Sequence, residues 1–213
     1  MHRAQRIGFS LPVLLATSYL AGCVCLGIQP LQYRGPLMTG MSDAEAEALT
    51  RVTFDANDVA QGVMTAADFT ARYQSLTSSV EIRPIPGVFI AYALITDRLL
   101  GRQTIILPGT ANPANLATDL DFALAADPDL GISVHRGFQL NARAVRTDVT
   151  PYLIPDYQLT ISGYSLGGAT AVLLGAYLQR DGHSVANITT FGQPKVTDAS
   201  GSLVLQKRLP IHR

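Results

Sequence analysis

Residues 157–178 read YQLTISGYSLGGATAVLLGAYL, and this stretch decides the fold. Its first part, residues 157–162, alternates in polarity and is rich in β-forming residues, so it predicts a strand. Its last part, from Ser165 onward, is rich in alanine and leucine and predicts a helix over residues 165–179. A tight turn between them holds Ser165 at the corner with its hydroxyl projecting. Gly163 and Gly167 flank the serine because strand and helix are expected to cross there too closely for a Cβ atom.

The pentapeptide Gly163–Gly167 fits the pattern G-x-S-x-G, which is typical of the nucleophile elbow of α/β-hydrolases. In that arrangement Ser165 is the nucleophile. The backbone N–H of Leu166, at the start of the helix, points to where an oxyanion forms. A glycine-rich turn with an incidental serine is the alternative interpretation, but the position between a predicted strand and a predicted helix favours the elbow.

The composition indicates one globular domain with a sizeable core. The chain has 213 residues, of which 47% are hydrophobic and 15% charged, and its formal net charge is zero. The densest basic cluster is Lys207-Arg208, so the sequence does not predict nucleic-acid binding. The two cysteines both lie in the N-terminal segment, so the sequence predicts no disulfide and no thiol nucleophile in the domain. The four histidines lack metal-ligand spacing, and no metal or other cofactor is predicted.

The first 30 residues differ in kind from the rest. A basic stretch (residues 1–6) is followed by an apolar stretch (residues 7–20) and by Leu20-Ala21-Gly22-Cys23. This order resembles a bacterial lipoprotein signal, which implies cleavage of residues 1–22 and lipidation of Cys23. An uncleaved membrane anchor and a simple secretory leader are the alternatives, and all three export the domain. Val24 is not acidic, which by the same resemblance favours the outer membrane of a bacterial envelope.

Residues 23–41 contain prolines and glycines and are predicted to be a tether, and residues 42–213 form the folded domain. Predicted strands alternate with predicted helices in that domain, which indicates an α/β fold with a mostly parallel central sheet and flanking helices. Helices are predicted from the capping box Ser42–Glu45 to about Val52, from Thr65 to about Leu76, and over residues 141–153 and 165–179. Strands are predicted over residues 88–96, 103–107, 132–135, 157–162 and 185–191.

Four sequence blocks occur in a fixed order along the chain. They read ILPGT (106–110), VHRGF (134–138), ISGYSLGGA (161–169) and TTFGQPKVTD (189–198). In this order they resemble the class 3 lipases, the family of fungal triacylglycerol lipases and their bacterial relatives. The resemblance covers about residues 88–213 and implies an α/β-hydrolase-like fold. Pro108 stands where the family has arginine, and Tyr164 stands where it has histidine at a variable position.

The resemblance also implies roles for individual residues. Ser165 would be the nucleophile, and the N–H groups of Leu166 and Thr110, with the Thr110 hydroxyl, would form the oxyanion hole. An ordinary turn residue is the alternative interpretation of Thr110. Residues 111–119 would correspond to the lid, although a surface helix would have a similar sequence. His135 and Asp198 belong to blocks that are structural in the family, and His135 also precedes Ser165, against the usual order of serine, acid and histidine.

The triad acid and histidine of the family follow the segment that corresponds to residues 209–213. The sequence therefore favours a fragment of a longer enzyme, with a C-terminally incomplete fold. The alternatives are an inactive relative that binds lipid or serves structurally, and a triad rebuilt from His212 or His183 with Asp198 or Asp181. A serine hydroxyl without a general base is a weak nucleophile. Residues 26–213 alone are expected to aggregate, because a sheet edge and core surface would be exposed.

Together these features predict a serine carboxylic-ester hydrolase of the lipase or esterase type, which acts on lipid esters through an acyl-Ser165 intermediate. The alternative function is that of a catalytically inactive lipase-like lipoprotein with a binding or structural role. The predicted partners are a lipid or ester substrate and a membrane, which the chain would reach through its N-terminal lipid anchor.

Overall fold

A computed structural model describes residues 41–86, 90–110 and 123–213. The predicted signal peptide, Cys23, the tether up to residue 40 and the predicted lid at residues 111–119 lie outside the described residues. No helix within the described ranges combines the length and the apolar character needed to cross a membrane.

The described residues form five α-helices, eight strands and one short 3-10 helix, Thr150–Tyr152. The helices are α1 (Asp43–Ala60), α2 (Ala66–Tyr73), α3 (Arg136–Val149), α4 (Leu166–Arg180) and α5 (Ala199–Arg208). The strands are β1 (Ser78–Pro84), β2 (Ala91–Asp97), β3 (Arg102–Leu107), β4 (Leu124–Asp127), β5 (Ile132–His135), β6 (Gln158–Tyr164), β7 (Val185–Phe191) and β8 (Ile211–His212).

A six-stranded sheet with the order β1-β2-β3-β6-β7-β8 forms the centre of the described structure. The first three strands pair antiparallel, whereas β3, β6, β7 and β8 are mutually parallel. Strands β4 and β5 form a separate antiparallel hairpin. The prediction of an α/β fold with a mostly parallel central sheet is therefore confirmed.

Helices cover both faces of this sheet, and the residues of strand β3 alternate between the two apolar layers that result. Ile105 and Leu107 face the larger apolar cluster, which contains the buried residues of α3 and α4. Ile106, between them, faces a second cluster formed with α1 and α2, including Leu49 and Phe69. Adjacent residues of a strand point to opposite faces, so this alternation places β3 between two apolar layers. Helix α4 is buried from Leu166 to Leu178, as expected for a helix that is apolar on all sides.

Helix α1 begins as predicted and ends later than predicted. Ser42 accepts a hydrogen bond from the Glu45 N–H, and the Glu45 side chain accepts one from the Ser42 N–H, so the capping box is confirmed. The helix continues past Val52 to Ala60, because its buried face continues through Ala56 and Asn57. Its second half is the part that reaches the site described below.

Several elements escaped prediction for physical reasons. Strand β1 is an edge strand with no fully buried residue, so the pattern of its sequence, SSVEIRP, is polar. Helix α5 begins Ala-Ser-Gly-Ser, a poor helix-forming sequence that is started by its Asp198 cap. Strand β4 has only four residues. Helix α3 begins at Arg136 rather than Asn141, and its first turn was missed because it contains Gly137, a poor helix former. Helix α2 ends at Tyr73 rather than near Leu76, where the chain turns toward β1.

A buried carboxylate ties the hairpin β4–β5 to helices α3 and α4. The Asp127 side chain accepts hydrogen bonds from the Tyr177 hydroxyl, from Gln139 at 2.8 Å and from the Leu130 N–H at 3.1 Å. Arg143 approaches it at 3.3 Å. Burial alone would raise the pKa of this carboxyl, but the hydrogen bonds from Tyr177, Gln139 and the Leu130 N–H together with the charge of Arg143 outweigh it, and the pKa lies below its ordinary value.

Candidate active site

Ser165 lies at the corner between β6 and α4 in a strained backbone conformation. Its dihedral angles are φ 50° and ψ −119°, and Asp156 is the other non-glycine residue of the described ranges with positive φ. Such a conformation costs about 1–3 kcal/mol and persists only where the surroundings enforce it. The Ser165 N–H donates to the Phe191 carbonyl at 2.8 Å, and the Ala169 N–H donates to the Ser165 carbonyl at 3.1 Å. Strand β7 and helix α4 therefore hold the corner from both sides.

The two glycines of the pentapeptide allow close contacts that a side chain would prevent. A Cβ on Gly163 would lie 2.3 Å from the Gly167 carbonyl oxygen, which confirms the predicted close crossing of strand and helix. A Cβ on Gly167 would lie 2.1 Å from the Leu107 carbonyl oxygen and 2.3 Å from that of Pro108. Gly167 is thus required by the end of the neighbouring strand β3, a contact that the pentapeptide itself does not indicate.

Strands β3 and β6 bring the two predicted oxyanion-hole segments to the same edge of the sheet. The strands are adjacent and parallel, with Leu107 paired to Gly163, so both Thr110 and Leu166 follow carboxyl ends. Carboxyl edges of parallel sheets are where α/β proteins place their ligand sites. Leu166 is the first residue of α4, where an N–H has no acceptor within the helix and the helix dipole is positive. This edge can therefore stabilise a negative charge that develops beside Ser165.

Helix α1 contacts this edge, which the sequence did not indicate. The Asn57 side-chain oxygen accepts a hydrogen bond from the Gly109 N–H at 3.2 Å, and the Gln61 side-chain amide donates to the Thr110 carbonyl at 2.8 Å. The ring of Phe54 packs against Tyr164, with 5.3 Å between the centroids. The available signal was the spacing of Leu49, Val52, Ala56 and Asn57, which continues the buried face of the helix beyond its predicted end.

Tyr164 occupies the space between the elbow and the turn after β3. A Cβ on Gly109 would lie 2.9 Å from the Tyr164 ring, and one on Gly192 would lie 3.7 Å from it. By its resemblance to the family, the sequence indicated only that Tyr164 stands at a variable position. Its aromatic ring nevertheless contacts Phe54 and borders two glycine turns that meet at the site.

Of the residues considered for a rebuilt triad, Asp181 and His183 lie far from Ser165. Asp181 and His183 follow the far end of α4, about 22 Å along the helix axis from the corner. Both carboxylate oxygens of Asp181 accept hydrogen bonds from Arg146, at 2.6 and 2.7 Å. His212 lies in β8, level with Ser162 and two strands away from it, so its backbone is about 10 Å from β6.

Asp198 and His135 both have structural positions. The Asp198 carboxylate caps α5 by accepting from the Gly201 N–H at 2.8 Å, and this bond, with a second from the Ser200 hydroxyl, lowers the pKa of the carboxyl. This is the structural role that the sequence predicted for Asp198. The His135 N–H donates to the Val196 carbonyl at 3.0 Å, and its ring meets Phe138 edge-on. Within the described ranges no group of three or more His, Cys, Asp or Glu residues is arranged to hold a metal ion.

Comparison with known proteins gives one family over the region that carries these features. Residues 104–211 match the family described as Lipase (class 3). A lipase of Rhizomucor miehei is 27% identical over an aligned length of 218 residues. The alignment covers 94% of this chain and 58% of that protein. The secreted mono- and diacylglycerol lipase 1 of Fusarium solani is 28% identical over 117 residues, or 52% of this chain and 34% of the relative. The chain thus spans less than two thirds of the length of either relative.

Solved structures share the fold. The Lip2 lipase of Yarrowia lipolytica superimposes with a TM-score of 0.61 at 21% identity, over 78% of this chain and 64% of that one. A lipase of Rhizopus microsporus var. chinensis gives a TM-score of 0.61 at 20% identity, over 84% and 70% of the two chains. At these identities the likeness concerns the fold, which is α/β-hydrolase-like, as predicted.

Proposed function

Because the chain belongs to the class 3 lipase family, we propose that it is a serine carboxylic-ester hydrolase that acts on lipid esters through an acyl-Ser165 intermediate. The observation that carries the proposal is the strained backbone of Ser165, held between β6 and the positive end of α4. Two relatives are a lipase and a mono- and diacylglycerol lipase, and this supports lipid esters as the substrate class.

The proposed reaction has two steps. The Ser165 oxygen attacks the carbonyl carbon of the ester while a general base takes the hydroxyl proton. The resulting oxyanion is stabilised by the N–H groups of Leu166 and Thr110, and the bond to the alkoxy oxygen then breaks as the alcohol leaves with the proton. In the second step a water molecule attacks the acyl carbon, releases the acid and restores the serine. The base and the acid that orients it are not assigned to any described residue.

Labelling with a fluorophosphonate ester tests the proposal. The 213-residue chain and the full product of the gene that encodes it are each treated with the probe, and the labelled residue is identified by mass spectrometry. We expect label on Ser165 in the gene product, none in Ser165→Ala, and normal labelling in the control Ser184→Ala, whose serine is exposed beyond the far end of α4. An unlabelled gene product would instead favour a catalytically inactive, lipid-binding relative.

Turnover of ester substrates gives a second measure. Removing the nucleophile of a well-studied serine protease costs on the order of 10⁶-fold in kcat. We expect Ser165→Ala to lower the hydrolysis of a short-chain ester and of a diacylglycerol by at least about 10³-fold, without loss of the folded state by circular dichroism.

We also propose that residues 1–22 are a signal peptide and that Cys23 is lipidated, which would anchor the domain to a bacterial envelope. The order of basic, apolar and small residues before Cys23 supports this. Labelling of cells with radioactive palmitate should mark the wild-type protein and leave Cys23→Ser unmarked. An unmarked wild-type protein in the membrane fraction would favour an uncleaved anchor, and an unmarked one in the medium would favour simple secretion.

A further inference from the structure

The two segments of the proposed oxyanion hole need a common support, because they belong to different elements. The central sheet fixes the ends of β3 and β6 against each other through the pairing of Leu107 with Gly163. Gly167 adds a close contact with the carbonyls of Leu107 and Pro108. Beyond Pro108 the chain leaves the sheet, so these contacts do not orient the peptide that carries the Thr110 N–H.

Asn57 of helix α1 and Gln61, the C-cap residue of that helix, each supply one hydrogen bond, one on either side of that peptide. The Asn57 side chain accepts from the N–H of Gly109, which belongs to the preceding peptide plane. The Gln61 side chain donates to the carbonyl of Thr110, which belongs to the following one. The plane between them carries the Thr110 N–H. Because both neighbouring planes are held, the rotation of this middle plane is restricted, and so is the direction in which its N–H points.

Asn57 is an unusual residue for its position, which supports a specific role. It is buried, with 5% of its surface exposed, and it lies within a helix, where asparagine is unfavourable compared with alanine or leucine. A buried polar side chain stabilises a fold only where it is hydrogen-bonded. Its hydrogen bond with Gly109 provides that partner. Asn57 is therefore unfavourable for the helix itself but stabilises the contact between the helix and the turn.

The same helix also contacts the other half of the proposed oxyanion hole. Phe54, one turn before Asn57, packs against Tyr164 and Phe191, with centroid distances of 5.3 and 5.5 Å. Tyr164 directly precedes Ser165, and Phe191 accepts the hydrogen bond from the Ser165 N–H. Through Phe54, Asn57 and Gln61, α1 therefore contacts the elbow and the turn together.

We propose that Asn57 and Gln61 are positioning residues, which fix the Gly109–Thr110 turn relative to the Leu166 N–H so that both donors converge on one oxyanion. The inference rests on the proposed function, because it assigns these residues to the same reaction. They touch neither the substrate nor the nucleophile, and they act through the turn.

Site-directed variants test this inference through the rate of fluorophosphonate labelling and through ester hydrolysis. Asn57→Leu removes the acceptor and keeps the branching and the number of side-chain heavy atoms. Gln61→Glu replaces the exposed donor by an acceptor that repels the Thr110 carbonyl, and Gln61→Lys restores a donor. Arg51→Met is the matched control, because it removes only an exposed ion pair with Glu47 on the same helix.

We expect Asn57→Leu and Gln61→Glu to lower the labelling rate and kcat by about 10-fold to 10²-fold with little change in KM, since loss of a whole oxyanion donor costs about 10²–10³ in kcat. Gln61→Lys and Arg51→Met should stay within about 3-fold of wild type in kcat, well inside the effect of losing a donor. Folded variants with unchanged kcat, or a change in KM alone, would overturn the inference.

Amide hydrogen exchange separates this inference from the proposed function. We expect the N–H groups of Gly109 and Thr110 to exchange faster in Asn57→Leu and Gln61→Glu than in the wild type, with no change in the core of β6. If the wild type is not labelled at all, the proposed function fails, and faster exchange still supports the positioning of the turn. Unchanged exchange at Gly109 and Thr110 in both variants would overturn it, whatever the labelling shows.

Discussion

Ser165 has a strained backbone conformation, and contacts with a few neighbouring atoms hold it in place. The conformation is held by the hydrogen bond to Phe191 and by close packing at Gly163 and Gly167. Because the carbonyl of Leu107, the last residue of β3, and that of Pro108 lie against Gly167, the start of α4 is packed tightly on the end of this strand. The strain at the serine is thus balanced by contacts on both sides of the corner.

Gly167→Ala is expected to be among the most destabilising single changes in the domain. Its Cβ would meet the Leu107 and Pro108 oxygens, which belong to a buried strand end and cannot rotate away. We expect a loss of about 3 kcal/mol or more in the free energy of unfolding, at the upper end of overpacking effects. Urea denaturation followed by circular dichroism measures it.

Gly182→Ala is the control for that experiment. Gly182, unlike Gly167, has a positive φ, 94°, and nothing lies within 4 Å of an added Cβ. The substitution should cost about 1–2 kcal/mol through backbone strain alone. Equal effects of the two substitutions would mean that the crowding at Gly167 is not a constraint on the fold.

The sequence could predict those residues whose position follows from local pattern. Gly163, Ser165 and Gly167 were placed correctly because a turn between strand and helix depends on neighbouring residues. Asn57 and Gln61 were missed because their partners, Gly109 and Thr110, lie about 50 residues away in the chain. A hydrogen bond over such a separation leaves no periodic signal in the sequence.

At the scale of elements, a pair of buried hydroxyl groups attaches α1 to β6. The Thr53 hydroxyl lies 2.7 Å from that of Ser162, and also 2.7 Å from the Leu49 carbonyl. Since a hydroxyl has one proton, Thr53 donates to Leu49 and accepts from Ser162. This bond joins the helix that supports the turn to the strand that carries the elbow.

A double-mutant cycle tests this attachment. Ser162→Ala should cost about 1 kcal/mol, because Thr53 keeps its bond to Leu49. Thr53→Val should cost about 1–3 kcal/mol, because it leaves the buried Ser162 hydroxyl without its acceptor. The double variant should be more stable than the sum of the single effects predicts, by about 1 kcal/mol. Strict additivity in urea denaturation would show that the two hydroxyls are not coupled.

The Asp127 carboxylate links the hairpin β4–β5 to α3 and α4, and this link predicts a pH dependence. Its pKa in the folded protein is below the unfolded value of about 3.9, so its contribution to stability is complete above that pH. The contribution is lost as the pH falls through the lower, folded value. Wild-type stability should therefore decrease below about pH 4 in part because this carboxyl becomes protonated.

Tyr177→Phe tests the same link, because it removes one donor from the buried carboxylate. We expect a loss of about 1–3 kcal/mol at neutral pH. We also expect an acid-unfolding midpoint at a higher pH than in the wild type. Without the Tyr177 hydroxyl, fewer hydrogen bonds offset the effect of burial, which raises the pKa of Asp127. Tyr157→Phe, in the turn before β6, is the control and should leave both values unchanged. An unaltered acid midpoint in Tyr177→Phe would contradict the linkage.

The elements that the sequence predicted are those with buried, regular patterns, such as β6, α4 and β7. Strand β1 was missed because a strand at the edge of a sheet buries little and carries polar residues, here Glu81 and Arg83. These charges and Pro84 also discourage pairing of the open edge with another chain. Helix α5 was missed because the start of the helix depends on a single capping residue, Asp198, and not on a regular pattern.

At the scale of the whole molecule, two apolar layers share one sheet. Ile105 and Ile106 are adjacent in β3, both are fully buried, and they belong to different layers. If the layers unfold as one cooperative unit, substitutions in both should affect the same transition. If the layer of α1 and α2 unfolds separately, a substitution in it should affect an earlier transition alone.

We expect a single transition. Ile105→Val and Ile106→Val should each cost about 0.5–1.5 kcal/mol, and each should shift the same transition. The chain has eight tyrosines and no tryptophan, so urea denaturation is followed by tyrosine fluorescence and by far-UV circular dichroism. Transitions that differ between the two probes, in any of the variants, would show that the layers separate.

The pairing of β3 with β6 has a consequence for the order of folding. It joins Arg102 to Gln158, and the contact of Thr53 with Ser162 spans 109 residues of chain. Contacts between distant residues form slowly, because the intervening chain must lose entropy before they are made. The strained corner depends on all of them, so Ser165 should reach its final conformation late. A refolding chain should therefore regain its secondary structure before Ser165 becomes reactive.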